Sequence, residues 1–350
     1  MANREKARLA QMGYAGLAKP LLFQLDPERA HDISMWVAGT ASKRSMTRRL
    51  AAAAMGAGTA SGQSGIDLWG LHFPNRLGLA AGMDKDGAAV PAWSAIGFGH
   101  VEVGTVTAIS QPGNDKPRLT RLPKNRALIN AMGFNNNGAQ ALAAALRRER
   151  RRGLVDIPVG VSIGKSKVTP IGAATQDYLA SLRAVRDVAD YVAINVSSPN
   201  TPNLRSLQDA TPLRELLTSI VAAAAGQPVL LKLAPDLSDP AIDEALQVAT
   251  DSGIAGIIAS NTTLRRDGLI GPESEIAPVT GGLSGAPLRS RSLAMVQRIT
   301  RTTDFPVIGV GGIMTVDDGQ AMIDAGASLV QIYTGLIYGG PRLVRGLRSL

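Results

Sequence analysis

Ala193-Ile194-Asn195-Val196-Ser197-Ser198-Pro199-Asn200-Thr201-Pro202-Asn203 is the stretch around which the chain is organised. An apolar run from Tyr191 to Val196 breaks into amides, hydroxyls and two prolines, as a buried strand does when it emerges at one end of a sheet. In alternating strand–helix folds, ligands sit beyond the carboxyl ends of the strands. Ser and Asn in such an exit often do no more than cap backbone groups. A cluster this dense points to chemistry.

The same rhythm runs outward in both directions. From Asn75 onward, apolar β-rich runs at 75–83, 98–107, 156–164, 190–198, 228–236, 253–262, 306–313 and 329–336 alternate with helical stretches at 136–152, 176–189, 211–226, 239–252, 288–303, 315–326 and 340–349. Eight such units in roughly 275 residues predict a (β/α)8 TIM barrel. The run Gly309-Val310-Gly311-Gly312-Ile313-Met314 lacks the third glycine of a dinucleotide fingerprint and falls late in the chain, which argues against a doubly wound sheet.

Composition narrows the chemistry. The 350 residues are 45% hydrophobic and contain no cysteine, which excludes disulfides, thiolate nucleophiles and cysteine-bound metal. The three histidines, His31, His72 and His100, lack ligand spacing, so no metal site is expected. A net charge of +9 favours an anionic partner, while 13 aromatics without basic interleaving argue against nucleic acid.

Residues 1–62 read as a separate unit before a barrel domain at 63–350. Two short helices are expected, around Tyr14–Leu25 and Ala30–Gly39, the second opened by Asp26-Pro27-Glu28. Leu21, Leu22 and Leu25 share one turn, and Ile33, Trp36 and Val37 repeat at helical spacing. With nine Lys/Arg against four Asp/Glu in residues 1–50, this hairpin is either an interfacial membrane element or a helical pair packed on the main domain. Residues 51–65, rich in Ala, Gly and Ser, read as a linker. No secretory pattern or spanning helix is evident, which places the chain in the cytoplasm or on a membrane it does not cross.

The strand ends carry the candidate site. Ala80 to Gly87 offers glycine for close approach to a flat ligand, with Lys85 at the mouth. Asn130 to Asn137 supplies four asparagines on a long connection, and Lys232 interrupts an apolar strand where an unpaired charge would be costly. Ser260-Asn261-Thr262 ends the sixth strand. Glycine clusters at Gly281–Gly285 and Gly309–Gly312, with Tyr333-Thr334-Gly335, suggest a phosphate site after strands six to eight.

Together these motifs resemble those of class 2, membrane-associated, quinone-dependent dihydroorotate dehydrogenases, FMN enzymes of pyrimidine synthesis. The resemblance runs nearly end to end, through Leu22 to His31, Ala80 to Gly87, Arg121-Leu122-Pro123, Asn195 to Asn203, Asn261 to Thr263 and both glycine clusters. It implies that Ser198 is the base that takes the C5 proton of dihydroorotate. It further implies that Lys85, the 130–134 segment (Asn130, Ala131, Met132, Gly133, Phe134), Asn195, Asn200, Asn261 and Thr262 hold the substrate. Ala81, Gly82, Met83, Asp84, Lys85, Thr105, Ser162, Asn195, Lys232, Ser260, Gly285, Gly312, Tyr333 and Thr334 would hold one FMN. Residues 10–45 would form an apolar tunnel for a membrane quinone, ending near His31, Arg121 and Tyr333, and this half would be separable from flavin reduction. A monomer on the cytoplasmic membrane surface is expected.

Two positions depart from the family pattern. Ser162 and Ser166 stand in Val161-Ser-Ile-Gly-Lys-Ser166 where Asn is usual, predicting a shorter or water-mediated contact at Ser162. Ala131 stands where Arg is common, leaving the backbone contacts of 130–134 intact.

Overall fold

The computed structural model describes residues 14–55, 65–277 and 280–350. Eight parallel strands close on themselves: β1 (Leu77–Leu79), β2 (His100–Val106), β3 (Val159–Ile163), β4 (Tyr191–Asn195), β5 (Val229–Leu233), β6 (Gly256–Ala259), β7 (Val307–Val310) and β8 (Leu329–Ile332). Closure is made by β8 against β1, with Val330 opposite Leu77 and Ile332 opposite Leu79. Each strand falls inside the range expected from the sequence. A barrel helix follows each one: α1 (Val90–Ile96), α2 (Ala139–Arg151), α3 (Ala174–Val185), α4 (Ala210–Ala224), α5 (Asp239–Asp251), α6 (Arg289–Thr302), α7 (Val316–Asp324) and α8 (Thr334–Leu347).

The strands are buried throughout because helices cover the barrel's outside while its inside is filled by side chains. One apolar layer lies between strands and helices. A second, inside the barrel, joins Tyr191, Ala193, Leu230, Ile258 and Ile308 to Phe73. Phe73 belongs to a two-stranded hairpin, Ile66–Leu68 with Leu71–Phe73, which plugs the amino-terminal end. Trp69 in its turn donates to Ala255 O at 2.8 Å and packs beside Tyr191. At the opposite end an antiparallel sheet of Leu119–Leu122, Ala127–Asn130 and Gly282–Gly285 rises over the mouth.

Two helices differ from the sequence reading. α1 was not expected; Pro91 in its first turn and Gly97 at φ +107 delimit it. α8 carries a first segment from Thr334 that was not expected; Gly340, at φ +57 and ψ −151, breaks it from the second, 341–347, which lies within the expected 340–349.

Among its described residues the N-terminal unit holds three helices rather than two. A five-residue π-helical turn, Tyr14–Ala18, runs into the helix Lys19–Gln24, and Pro27–Ser42 follows, capped by Asp26, which accepts from Glu28 N and Arg29 N at 3.0 Å. The third, Ser45–Met55, occupies the start of the expected linker, since a run of alanines favours helix over coil. The expected boundary at 62/63 lies outside the described residues. The helix Pro27–Ser42 docks on the barrel through small residues: Gly39 approaches Ala88, and Ser42 Oγ accepts from Ala92 N at 3.2 Å. Its other side leaves Ile33, Trp36 and Val37 46%, 71% and 53% exposed, so packing and an open apolar face coexist.

Asp84 anchors the start of α1. Its carboxylate is fully buried and accepts from Ala88 N (2.8 Å), Ala89 N (2.9 Å) and Trp93 Nε1 (3.0 Å). Asp84→Ala would orphan three donors, an expected loss of about 2–4 kcal/mol in unfolding free energy, measured by urea titration.

Candidate active site

The carboxyl ends of the strands open on a cavity under the antiparallel sheet. Ala80, Ala81, Gly82 and Lys85 line it from β1, Thr105 from β2, Asn195, Ser198 and Asn200 from β4, Lys232 from β5, and Ser260, Asn261 and Thr262 from β6. Asn130, Met132, Gly133 and Phe134 cover it. Gly285, Gly312, Tyr333 and Thr334 close the far end.

An amide and hydroxyl network ties the strand ends together. Asn195 Nδ2 donates to Thr105 Oγ1 at 2.8 Å, while Asn261 Nδ2 donates to Asn195 Oδ1 (3.2 Å) and Ser197 Oγ (3.0 Å). Asn200 Nδ2 donates to Asn130 Oδ1 at 3.0 Å, so the loop after β4 is tied to the overlying sheet. Within that loop Asn200 N–H donates to Ser198 Oγ at 3.3 Å, and Ser198 is 6% exposed. These groups present both donors and acceptors on one side of the cavity, as a flat ligand with ring N–H and C=O groups requires.

The floor is ionic. Lys232 Nζ lies 3.3 Å from Glu102 Oε1, with both side chains almost wholly buried. Gln331 Nε2 donates to the other carboxylate oxygen at 3.1 Å. Burial foremost, and then the Glu102 charge, pushes the neighbouring Tyr191 phenol well above its ordinary value, keeping it neutral. A carboxylate within an apolar strand carries the same signal that singled out Lys232, so Glu102 was legible in principle. Gln331 was not, because an amide in a strand carries no such cost.

The far end suits an anion. α8 begins there with Thr334 and Gly335 on the cavity wall and no acidic residue in its first turn, and its axis breaks at Gly340. Thr334 Oγ1 and Ser284 Oγ are 2.8 Å apart. Between this end and the ionic floor the lining is apolar, with Ala80, Val310 and Ile332.

Four expected contacts stand elsewhere. Asp84, expected among the residues that hold FMN, spends its side-chain oxygens on α1 and does not line the cavity. Met83 faces a neighbouring polar cavity. Ala131 points away from the main cavity, its N–H bonded to Arg118 O. Ser162 is fully buried behind Thr105, with Oγ 2.9 Å from Thr105 Oγ1, so it sits one bond behind the lining rather than at it. The three residues expected at the quinone end occupy three places. Tyr333 lines the main cavity, against Gly82. His31 lines the polar cavity, which shares Lys85 and Met132 as a common wall. Arg121 stacks over Phe23 and donates to Phe23 O and Leu25 O at 3.0 and 3.1 Å, holding the end of the helix Lys19–Gln24.

Burial lowers the Lys85 ammonium from its ordinary value, opposed by Glu28 and assisted by Arg118. Burial, and then the Lys85 charge, lowers His31 to about 4, so its ring is neutral at pH 7. Sequence reasoning missed Arg205, which donates to Ser197 O (3.1 Å) and Thr262 O (3.2 Å) and pairs with Asp236 at 2.9 Å. It clamps the loops after β4, β5 and β6. A loop arginine has no signature that separates such a clamp from a solvated side chain.

A closed eight-stranded barrel with an amide-lined mouth and an ionic floor defines a (β/α)8 enzyme whose site lies at the carboxyl ends of the strands. The chain belongs to the dihydroorotate dehydrogenase family, whose model matches residues 65–349. A protein of Chloroflexus aurantiacus named dihydroorotate dehydrogenase (quinone) is 51% identical, over 98% of this chain and 96% of its own. One of the same name from Salinispora arenicola is 50% identical, over 95% and 97%. The crystal structure of the Eimeria tenella enzyme in complex with ferulenol superposes with a TM-score of 0.80 at 34% identity, covering 92% of this chain and 90% of that one.

Glu102→Gln leaves Lys232 buried without a counter-charge, and the expected cost is about 3–5 kcal/mol in denaturant unfolding. His31 is held neutral in the folded protein, so the unfolded chain takes up a proton that the native state refuses. Stability therefore falls as pH drops from the ordinary value of 6.5 toward about 4. His31→Gln is expected to flatten part of that acid limb, measured as unfolding midpoints across this window.

Proposed function

We propose that this chain oxidises (S)-dihydroorotate to orotate with FMN as its resident cofactor and a membrane quinone as electron acceptor, in pyrimidine synthesis. The observation that carries the reading is the placement of Ser198, buried in the loop after β4, in one cavity with Lys85, four asparagines and Lys232, whose charge is balanced from behind by Glu102.

The residues present fit FMN. Gln331 Oε1, in a residue lining the cavity, has no hydrogen-bond partner among the described residues, leaving an acceptor for a ring N–H. The apolar middle matches a ring system, and the start of α8 with Thr334 and Gly312 matches a phosphate. Gly82, Thr105, Lys232, Ser260, Gly285 and Tyr333 would complete that site, with Lys232 offering a cation to an electron-rich ring edge. When bound, FMN supplies the hydride acceptor that links the substrate to the quinone.

The chain's own residues do the rest. Lys85 pairs with the substrate carboxylate, while Asn130, Asn195, Asn200, Asn261 and Thr262 fix the ring amides and set C5 against Ser198 Oγ. Serine is a weak base in water, so proton removal depends on the closed cavity and on an aligned substrate. The exposed apolar face of the N-terminal helices, which includes Leu17, Leu21, Trp36 and Leu50, suits docking on a bilayer that carries the quinone. No helix of the described residues is long and apolar enough to cross a membrane. Tyr333 on the cavity wall, His31 in the adjoining polar cavity and Arg121 at the end of the helix Lys19–Gln24 are the side chains proposed to face the quinone.

Ser198→Ala is expected to retain yellow, flavin-loaded protein yet to slow its bleaching by dihydroorotate by about 10²–10⁴-fold at neutral pH, read in anaerobic stopped flow. Undiminished bleaching would reassign the base. Removal of residues 1–45 is expected to cripple reoxidation by long-chain quinones far more than by a small water-soluble acceptor, compared in one oxidative assay. Equal losses with both acceptors would remove the tunnel role.

A further inference from the structure

The helix Pro27–Ser42 reaches the catalytic loop through a buried arginine that no family motif in the sequence marked. Glu28, in its first turn, is 7% exposed, and Arg118, at the base of the overlying sheet, is 8% exposed. The guanidinium meets the carboxylate with Nε 3.2 Å from both oxygens and Nη2 2.7 Å from Oε1. Its remaining arm, Nη1, donates to Pro112 O at 2.6 Å and Asn114 O at 2.7 Å. Arg118 therefore binds the N-terminal helix with one side of its fork and shapes the 112–118 turn with the other.

That turn touches the substrate-facing loops directly. Asn114 Nδ2 donates to Ala131 O at 3.0 Å and Asn200 O at 3.1 Å. Asn200 in turn donates its N–H to Ser198 Oγ and its amide to Asn130. The turn has little freedom to slip. A Cβ on Gly113, which sits at φ +83, would lie 2.3 Å from Met132 O and 2.6 Å from Arg118 Nη1, and one on Gly133 would lie 2.6 Å from Asn114 Cγ. A shift of the arginine must therefore move the turn, and the turn must move the loops.

We propose that Arg118 is a positioning residue that couples the docking of the N-terminal helices, through Glu28 and Asn114, to the geometry of the loop carrying Ser198. This inference rests on the proposed dehydrogenase reading. Without the Glu28 charge, the buried guanidinium has lost its counter-ion and is drawn toward solvent, releasing Pro112 O and Asn114 O. The second partner of Glu28, Lys116 at 3.3 Å, is 64% exposed and contributes little to holding the carboxylate. The half-reaction that touches dihydroorotate thus depends on helices that do not touch it. The separability expected from sequence then fails, because removing residues 1–45 also removes Glu28.

The test is anaerobic stopped-flow reduction of the flavin-loaded, full-length protein by dihydroorotate, with flavin content and thermal midpoint recorded for each variant. Glu28→Gln and Asn114→Ala are each expected to weaken apparent dihydroorotate affinity and slow reduction by about tenfold together, a usual size for coupling between sites. The double variant is expected to be no worse than the poorer single one, since the two act in series. Arg118→Lys, which keeps the charge and loses the fork, is expected to fall with them. Arg214→Gln, at an exposed pair with Asp251 on the outer helices, is expected to match the wild type. A role confined to quinone access would leave the reductive half-reaction unmoved. Wild-type affinity and rate in Glu28→Gln and Asn114→Ala, or fully additive losses in the double variant, would overturn the coupling alone. A wild-type flavin that dihydroorotate leaves oxidised would instead overturn the parent reading and the coupling with it.

Discussion

An ammonium and a carboxylate cannot lie unpaired on the axis of a packed barrel, and the active end of this molecule is built around that constraint. Lys232 from β5 and Glu102 from β2 meet across the interior, and Gln331 from β8 occupies the second carboxylate oxygen. Three strands far apart in the chain are thereby held in one register at the level where the cavity begins. Below this level Phe73 and Trp69 seal the interior, with the buried His100 ring packed edge-on against Phe73. Above it the lining mixes amides and hydroxyls with apolar side chains.

Each tier above the floor depends on the one beneath. Asn195 ends the strand beside Lys232 and is gripped by Thr105 and Asn261; behind Thr105 stands Ser162. Arg205 then fastens the loops after β4, β5 and β6 to one another. Ser198 is thus positioned by backbone and amide constraints, and in the proposed reaction the cavity itself makes a weak base effective. Ser162 stands outside the lining, and its hydroxyl supports Thr105.

The N-terminal helices belong to the same mechanical unit. Their small residues dock on α1, Arg121 holds the end of one helix, and the Glu28–Arg118 pair joins the next to the sheet over the mouth. Their opposite face stays apolar and open. Of the two readings that composition left in balance, the packed pair describes one side of these helices, and the open apolar face is what the proposed membrane docking would use.

Periodicity determined the barrel from sequence alone, because buried parallel strands must be continuous apolar runs and their carboxyl ends must turn polar where a ligand is met. The same logic singled out Ser198, the asparagines of 195–200 and 130–137, and Lys232, each a polar residue where burial makes polarity costly. Helix starts at Val90 and Thr334 were less legible: the first is short and held by the buried Asp84, and the second follows its strand directly and breaks at Gly340. Only the folded molecule decided that Asp84 serves α1, that Ser162 stands behind Thr105, that Arg118 is a buried clamp and that the half-buried Arg205 is another. The reason is physical: strand and helix signals repeat along the chain, whereas an ion pair such as Glu28–Arg118 joins residues 90 positions apart and has no local signature.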